Sequence, residues 1–425
     1  MGTETFAASV ADRHTGHRLT IGTFAPVFAL RFLVSAGFYS IIPYAVFLLP
    51  FEESTNALTL AALLIGGRLL AWPIGAWVDQ SGAKRPIINI ALATTGAFIA
   101  SWIWTDGWIF LISVIGIAVL NPLTNVALRT LVAHRSARED HTQVYGWLGS
   151  VKTMGIAAGP AMSGVLLLFA PVEYIICLTT ALCALSLLTA FGLQDAQPHP
   201  IGIEQPDPAL STAGDIRTKT PGISITLWFA LIAQWALIWC CLYTLTLSVA
   251  PYFDVKFADI SPAAVFFVVQ SLLSAALLIF AGHGMRNLSQ KALGFVFSIG
   301  AVLPPVALLL AGIWPTNLPF GNAIWLSLML AIIISVSEAL TVPTVDTIAA
   351  TQSKKTTGRR FGQLTSAEVL GMALAGAVAW FITRNPTVDA MSSSWVLSGT
   401  ALLILATVLS FTTIWSMKKA WIKTG

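Results

Sequence analysis

The chain has 425 residues, of which 56% are hydrophobic and only 10% are charged, and its formal net charge is +4. A soluble protein of this length needs a larger charged fraction to cover its surface, so the composition excludes a water-soluble fold and favours a membrane protein. The small net charge gives no indication of a nucleic-acid partner.

The first half of the chain predicts a bundle of six transmembrane helices. The first 18 residues are polar and lead directly into an apolar run, which we interpret as a cytoplasmic tail rather than a cleavable signal. A helix needs about 20 apolar residues to cross a bilayer. Runs of this kind occupy 20–49, 57–78, 86–105, 108–132, 144–170 and 173–193. They define an N-terminal bundle over residues 1–193.

The second half predicts another six helices after a linker. Residues 194–221 are polar and contain five prolines, which is typical of a linker. Apolar runs follow at 222–251, 261–282, 292–314, 321–349, 360–382 and 394–416. The predicted fold is therefore an all-α polytopic membrane protein, with a second six-helix bundle over residues 222–425.

The distribution of basic residues predicts the orientation of these helices. Cytoplasmic loops of membrane proteins carry an excess of lysine and arginine. With both termini cytoplasmic, the opposite face carries only Lys256 and Arg384. The cytoplasmic face then carries Arg13, Arg18, Lys84, Arg85, Arg135, Arg138, Arg217, Lys219, Arg286, Lys291, Lys354, Lys355, Arg359, Arg360, Lys418, Lys419 and Lys423. We expect a multi-pass protein of the inner (cytoplasmic) membrane with both termini in the cytoplasm.

The two halves resemble each other in corresponding helices, which indicates a duplicated six-helix unit. The tripeptide Phe-Ala-Leu at 28–30 in helix 1 recurs at 229–231 in helix 7. Three positions in helix 5 align with three in helix 11: Gly146 with Gly362, Lys152 with Glu368, and Gly155 with Gly371. Repeats of this kind allow many secondary transporters to alternate access around a site at the membrane midplane.

The loop after helix 2 carries a motif with two glycines, an acidic residue and two basic residues: Gly75, Asp79, Gly82, Lys84 and Arg85. It resembles the Gly-x-x-x-Asp-x-x-Gly-x-Lys/Arg-Arg loop of the major facilitator superfamily. The resemblance implies two pseudo-symmetric six-helix bundles and a gating role for Asp79, which would hold the cytoplasmic side closed against the start of helix 11. The alternative is an ordinary tight loop.

Helix 5 carries small residues and a proline at Gly155, Gly159, Pro160 and Gly164. This segment resembles the Gly-Pro motif of the drug–proton antiporter branch of the superfamily, with Ser163 where a second glycine is usual. The arginine expected in helix 4 of that branch would fall near Ile112 and is absent. Generic packing of small residues is the alternative interpretation.

Five ionisable residues fall deep inside the predicted helices, where charges are costly and usually functional. Arg31, Arg68 and Lys152 are in the first half, and Glu338 and Glu368 are in the second. The resemblance places helices 1, 4, 7 and 10 around a central cavity and helices 2 and 11 against each other. It thus implies a pair between Arg68 and Glu368 across the halves, with Lys152 as a further buried charge. Fixed salt bridges that only neutralise these charges are the alternative.

Glu338 and Glu368 are the candidate proton-coupling residues, because burial favours the neutral form of a carboxylate. Arg129 and Asp346 fall nearer the helix ends, where snorkelling to the interface explains them equally well. The candidate substrate-binding residues are Arg31, Tyr39, Asn121, Asn125, Gln234, Trp235, Trp239 and Glu338, and Tyr44, Tyr243 and Gln270 add to the same wall.

The charge in helix 1 favours one substrate class. An arginine at the midplane matches a carboxylate or phosphate, so the first hypothesis is proton-coupled export of a small anionic or zwitterionic metabolite, for example a carboxylate siderophore. The alternatives are a multidrug–proton antiporter and, third, a nutrient importer.

No catalytic constellation, metal cluster or nucleotide-binding loop is evident, so we expect no enzyme activity and no cofactor. The expected partners are a small-molecule substrate, protons and the lipid bilayer, and the expected functional unit is a monomer.

Overall fold

The computed structural model describes residues 24–51, 53–104, 106–194, 225–258, 261–315, 323–351, 356–385 and 387–422. The polar N-terminal segment and all but the first residue of the predicted linker lie outside these ranges. Within them the chain is helical apart from short connections, and these ranges contain no strand.

The first half forms six helices, the second of which is divided. Their bounds are α1 (Ala25–Leu48), α2a (Glu53–Leu69), α2b (Ala71–Ser81), α3 (Lys84–Trp104), α4 (Gly107–Arg135), α5 (His141–Leu167) and α6 (Tyr174–Phe191). The division at Leu70 follows from Pro73, which has no backbone N–H to donate to the carbonyl of Leu69. Gly82 ends α2b with a φ of 81°, a conformation that glycine adopts without steric cost.

The second half repeats this arrangement with six undivided helices. Their bounds are α7 (Ile225–Phe257), α8 (Ser261–Gly284), α9 (Gln290–Ile313), α10 (Ala323–Ala350), α11 (Thr357–Thr383) and α12 (Val388–Ile422). Each predicted apolar run overlaps one helix, counting α2a and α2b together, and the ends differ by up to about six residues. The prediction of an all-α membrane protein with twelve apolar helices in two bundles is confirmed in its architecture.

Eleven of the described helices are long and apolar enough to cross a membrane, with α2a and α2b together supplying one of them. Helix α5 is not in this set because its glycines and Lys152 lower its mean hydropathy. This helix is covered by protein instead, since it packs against α1, α8 and α10. A helix in that position needs fewer apolar residues than one that faces lipid.

The packing of the two halves follows one pattern. In the first half, α1 packs on α5 and α6, and α3 packs on α4 and α6. In the second half, the equivalent helices make the same contacts: α7 packs on α11 and α12, and α9 packs on α10 and α12. Between the halves, α2b packs on α11 and α8 packs on α5. We call the side at which α2b and α8 end, and at which α5 and α11 begin, the basic face, after its residues Lys84, Arg85, Arg286 and Arg359.

Glycines allow the helices of the two halves to touch near the basic face. A Cβ atom on Gly146 of α5 would overlap the carbonyl oxygen of Leu278 in α8. At the matching position of α11, a Cβ atom on Gly362 would overlap the carbonyl oxygen of Ala71 in α2b. Gly75 and Gly282 make the reciprocal contacts with the starts of α11 and α5. The duplication inferred from the sequence is therefore also a duplication of contacts.

Candidate functional site

A buried ion pair joins the halves between α4 and α10. The guanidinium Nε of Arg129 lies 3.0 Å from a carboxylate oxygen of Asp346, and both side chains are at most 4% exposed. The two residues occupy matching positions, since the register that aligns Leu123 and Thr124 with Leu340 and Thr341 also aligns Arg129 with Asp346. The pair therefore forms across the pseudo-twofold relation between the halves, and the interpretation of these residues as interfacial snorkelling is wrong.

Aromatic rings cover this ion pair. The rings of Tyr145 in α5 and Phe361 in α11, again at matching positions, have centroids 5.9 Å apart. The Tyr145 hydroxyl donates to the carbonyl oxygen of Arg129 at 3.0 Å, and the Arg129 guanidinium lies 5.9 Å from the centroid of Phe361. The ion pair and these rings form a buried contact between the two halves.

The gating-loop aspartate lies closer to the basic face, at the end of α2b. The carboxylate oxygens of Asp79 accept hydrogen bonds from the backbone N–H groups of Gly358 at 2.7 Å and Arg359 at 2.9 Å. These amides belong to the first turn of α11, where the helix has unpaired donors and a positive partial charge. In the same loop, Lys84 donates to the carbonyl oxygen of Phe191 at the end of α6.

The matching contact in the second half uses the opposite charge. Arg286, after α8, stands at the position that corresponds to Asp79, and it forms an ion pair with Asp140 immediately before α5. The loop after α8 thus has Arg286 where the loop after α2b has Asp79, and the partner of Arg286, Asp140, lies at the start of α5. Both contacts close the same face of the protein.

We expect Asp79→Ala to open the basic face more than Arg286→Ala does. The first variant removes two charge-assisted hydrogen bonds, each worth about 1.5–3 kcal/mol. The second removes an ion pair whose arginine side chain is 40% exposed, and pairs that contact water are worth about 0.2–1 kcal/mol. The measurement is the thiol-labelling rate of a cysteine replacing buried Thr347, with Arg138→Ala as the control. Equal rates in the two variants would contradict the prediction.

A central cavity lies between α5, α7, α8 and α10. Its volume is about 50 Å³, which is enough for a few water molecules but far below the several hundred Å³ of a typical ligand pocket. The cavity therefore has to widen before a solute of metabolite size enters. Its wall contains Arg129, Gly149, Lys152, Thr153, Ile156, Trp235, Ile238, Trp239, Leu242, Leu278, Glu338, Thr341 and Val342.

Two charges of opposite sign face this cavity from opposite halves. Glu338 of α10 accepts a hydrogen bond of 2.9 Å from the side-chain amide of Gln270, which also donates to Ser274. Lys152 of α5 lies 5.3 Å from the centroid of the Trp239 ring. Lys152 and Glu338 act on each other electrostatically but are not within salt-bridge distance in this conformation.

A row of aromatic rings on α7 connects this cavity to α2a. The ring centroids of Trp235 and Trp239 are 5.7 Å apart, and those of Trp239 and Tyr243 are 5.6 Å apart. Arg68 hydrogen-bonds the Tyr243 side chain and also contacts the sulfur of Met372 in α11. Arg68 thus reaches the second half, but one turn away from the residue with which we expected it to pair.

Glu368 itself is almost fully buried without an ion-pair partner among the described residues. It is 3% exposed, and its Oε1 atom has no hydrogen-bond partner there. The expected Arg68–Glu368 pair is therefore not a direct salt bridge in this conformation, because the Arg68 guanidinium is used by Tyr243 and Met372. Arg31 and Lys152 act electrostatically on the same carboxylate.

Arg31 is buried in α1 against α4. It is 1% exposed and donates one hydrogen bond, of 3.3 Å, to the amide oxygen of Asn121. Its Nε atom has no partner in the described part of the chain. Arg31 does not line the central cavity in this conformation. A guanidinium with five donors therefore has little compensation for its burial.

Some of the predicted wall residues point elsewhere. Gln234 donates to Ser410 and accepts from Thr413, so its amide joins α7 to α12. Asn125 donates to Thr365 across α4 and α11 at 3.3 Å. Tyr39 and Tyr44 of α1 are half-buried beside the apolar cluster between α1, α3, α4 and α6. Two of the predicted aromatic residues, Trp235 and Trp239, line the cavity. Gln270 contacts the cavity through its hydrogen bond to the carboxylate of Glu338.

The glycines of the Gly-Pro segment in α5 pack on α1. A Cβ atom on Gly155 would lie 2.7 Å from the Cβ of Ser35, and one on Gly159 would lie 2.8 Å from the backbone nitrogen of Ser40. Ser163 donates to the carbonyl oxygen of Ser40 at 2.8 Å. Beyond its own helix backbone, no atom of the described residues lies within 4 Å of a Cβ atom placed on Gly164. Packing inside the first half thus accounts for most of this segment, including Pro160 within the helix.

The fold and the site together define a class of protein. Two bundles with duplicated contacts enclose a small, mostly apolar cavity with Lys152 and Glu338 in its wall, and buried charges join the bundles at one face. This is the architecture of a membrane transporter that moves a solute by rocking one bundle against the other, and not that of an enzyme.

The comparisons with known proteins identify the family. The sequence profile of the Major Facilitator Superfamily matches residues 24–376, and the chain belongs to this superfamily of secondary transporters. The family also identifies the chain as a multi-pass membrane protein. No curated protein sequence matches the chain significantly.

Solved structures of the same fold are similar over most of the chain. The human organic anion transporter MFSD10 (TETRAN) has 18% identity and a TM-score of 0.68, over 91% of this chain and 98% of that one. The proton:xylose symporter XylE has 12% identity and a TM-score of 0.67, over 91% and 94%. FucP in its outward conformation has 13% identity and a TM-score of 0.61, over 92% and 99%. At these identities the similarity shows the fold alone.

Proposed function

We propose that this transporter exports a small polar solute that carries a carboxylate, either an anion or a zwitterion, in exchange for protons. A carboxylate siderophore is one solute of this kind. The observation that carries the proposal is the burial of Arg31 with Asn121, a neutral residue, as its single hydrogen-bond partner in the described part of the chain. A carboxylate of the solute would supply the missing acceptors and could bind the guanidinium through two parallel hydrogen bonds.

The charge balance around the cavity supports the same solute class. Arg129 and Asp346 neutralise each other. Among the described residues, the other charges deep inside the membrane-spanning helices are three basic groups, Arg31, Arg68 and Lys152, against two acidic groups, Glu338 and Glu368. Uncompensated charge at membrane depth is costly. An excess of positive charge is therefore best compensated by a negatively charged group of the solute.

Glu368 is the residue that we propose for proton coupling. Its carboxylate is buried and forms no salt bridge with the described residues, so a proton that binds there displaces no ion-pair partner. It lies in α11, which contacts α2a, α2b and α4 of the other half. Protonation changes the charge at this interface, so binding of a proton would alter the relative stability of the two rocked states. Glu338, which accepts a hydrogen bond at the cavity wall, would face the solute instead.

The proposed orientation places the basic face in the cytoplasm, in agreement with the positive-inside rule. The chain would then lie in the inner membrane with both termini cytoplasmic, and this conformation would be closed to the cytoplasm.

We propose that the monomer is the functional unit, because the cavity lies between the two halves of one chain. The similarity to a structure described as an organic anion transporter agrees with the proposed solute class, although it shows the fold alone.

A multidrug–proton antiporter is the second candidate. The row of Trp235, Trp239 and Tyr243 would offer aromatic faces to a lipophilic solute, with Glu338 beside it. Aromatic faces attract cations. In this case the buried basic residues would have only structural roles.

The test of the proposal uses everted membrane vesicles that hold an acidic interior. Carboxylate siderophores and lipophilic cations are added in turn, and dissipation of the pH gradient is recorded. We expect the carboxylates to dissipate the gradient, and Arg31→Ala to reduce this response at least about tenfold, because a buried charge contact is lost. Arg384→Ala, which removes an exposed arginine, is the matched control. A response to the cations alone would favour the second candidate.

A further inference from the structure

The central cavity has a negative pole as well as a positive one. We propose that the solute is a zwitterion whose cationic group binds Glu338 and whose carboxylate, bound by Arg31 in the proposed function, is also held by Lys152, with the body of the solute against Trp239. This inference rests on the proposed function and narrows its solute class from anions and zwitterions to zwitterions alone. It also assigns Glu338 and Lys152 as the residues that determine specificity.

The first argument is the separation of the two charges. Lys152 and Glu338 line the same cavity but do not form a salt bridge. Two opposite charges buried near each other in a medium of low dielectric are strongly attracted and would pair if nothing else held them. A solute with a charge of each sign placed between them compensates both, whereas a simple anion compensates only Lys152 and leaves Glu338 facing a second negative charge.

The second argument is that Glu338 is held in place by residues of its own half. Gln270 of α8 donates to one carboxylate oxygen, and its backbone carbonyl accepts a hydrogen bond of 3.0 Å from Ser335 of α10. Neutral donors fix the carboxylate without cancelling its charge. A carboxylate positioned in this way, and half-buried at a cavity wall, is available to a cationic group that enters the cavity.

The third argument concerns the groups around Lys152. Its ammonium contacts the ring face of Trp239, a contact that does not cancel its charge. The indole N–H groups of Trp235 and Trp239 have no hydrogen-bond partner among the described residues, although both are buried. Unpaired buried donors are rare in native structures. On widening of the cavity, a solute carboxylate beside Lys152 would provide acceptors for them.

Because Lys152 belongs to α5 and Glu338 to α10, a zwitterion would bridge the two halves. The solute would thus hold the halves together through an ionic contact with each of them, while an anion would make an ionic contact with the first half alone. A ligand shifts a conformational equilibrium by its difference in affinity for the two states. A solute that binds both halves more tightly when they are close together therefore favours the closed state, and this favours the movement that transports the solute.

The test measures ligand-induced thermal stabilisation of the purified full chain with matched probe triads. Phenylalanine, leucine and 4-aminobutyrate are each compared with their N-acetylated form, which keeps only the carboxylate, and their methyl ester, which keeps only the amine. We expect the free amino acid of at least one triad to stabilise the protein at concentrations at least about tenfold lower than either blocked form. Blocked acids that act as well as every free amino acid, or no response to any zwitterion, would overturn the proposal.

Variants then assign the two poles. Glu338→Gln should abolish the preference for the free amine over the N-acetyl form, and Lys152→Met should abolish the preference for the free acid over the ester. Glu338→Asp retains the negative pole and should keep the preference, which provides a test if a neutral variant does not fold. Glu173→Gln and Lys291→Met, at exposed positions, are the matched controls. Unchanged preferences in both Glu338→Gln and Lys152→Met would overturn the assignment.

The outcome for this inference is separable from that for the proposed function. If simple carboxylates dissipate the pH gradient in vesicles and stabilise the protein as well as zwitterions do, the exporter proposal holds and the zwitterion assignment fails. If only lipophilic cations act in both assays, both fail.

Discussion

Replacing Glu368 by Gln is expected to abolish proton-driven accumulation while leaving solute exchange intact. Glutamine has nearly the same shape as the protonated side chain, so the variant mimics the neutral state permanently. A 1:1 exchange driven by one pH unit concentrates a solute about tenfold. In proteoliposomes with that gradient, Glu368→Gln should bring the solute only to equal concentrations on the two sides, while counterflow of labelled against unlabelled solute continues.

The matched control for this prediction is Glu173→Gln, which neutralises an exposed carboxylate and should retain the accumulation of the parent protein. Glu338→Gln separates the two acidic residues further, because loss of solute binding lowers exchange and accumulation together. Full accumulation in Glu368→Gln would show that the proton is carried elsewhere, and Glu338 would then be the coupling residue.

Neutralising one member of the Arg129–Asp346 pair should strongly destabilise the state that is closed at the basic face. Both side chains are buried, and an ion pair of this kind costs about 3–5 kcal/mol when one partner is removed, because a charge is left uncompensated. Arg129→Gln and Asp346→Asn should therefore each favour the opposite rocked state. The measurement is the distance between spin labels on α2b and α11, which should increase in both variants.

The pseudo-symmetry of this pair provides a stringent control. The charge-swapped variant with Arg129→Asp and Asp346→Arg preserves the pair across matching positions, and it should recover most of the closed population. Asp254→Asn, at an exposed position, should leave the distance unchanged. If each single variant keeps the parent distance distribution, the pair does not stabilise the closed state.

The sequence predicts the fold well because the signals for it are strong and local. Apolar runs of membrane-spanning length define each helix, and the Gly75–Arg85 motif lies at the turn between α2b and α3. The division of α2 at Leu70 was not predicted, since the run of apolar residues continues through it. The proline three residues later is the signal that indicates the break.

The site is less predictable because side-chain pairing depends on geometry between distant helices. Depth, together with the resemblance that places helices 2 and 11 against each other, favours the Arg68–Glu368 pair, yet Arg68 binds Tyr243 and Met372. Gln234 also appeared suitable for a cavity, but hydroxyl groups of α12 take up its amide. A comparison of α4 with α10 would have found the Arg129–Asp346 pair, because Leu123 and Thr124 match Leu340 and Thr341 in the same register.

The central claim, exchange of a carboxylate-bearing solute for protons, is tested most directly in proteoliposomes that trap a pH-sensitive dye and start at equal pH on both sides. Addition of an inward gradient of a carboxylate or amino-acid solute should make the lumen more alkaline, because each solute entering drives a proton out in either orientation of the protein. The Glu368→Gln variant should give no change. Acidification of the lumen would indicate symport, and an alkaline response to lipophilic cations alone would contradict the proposed solute class.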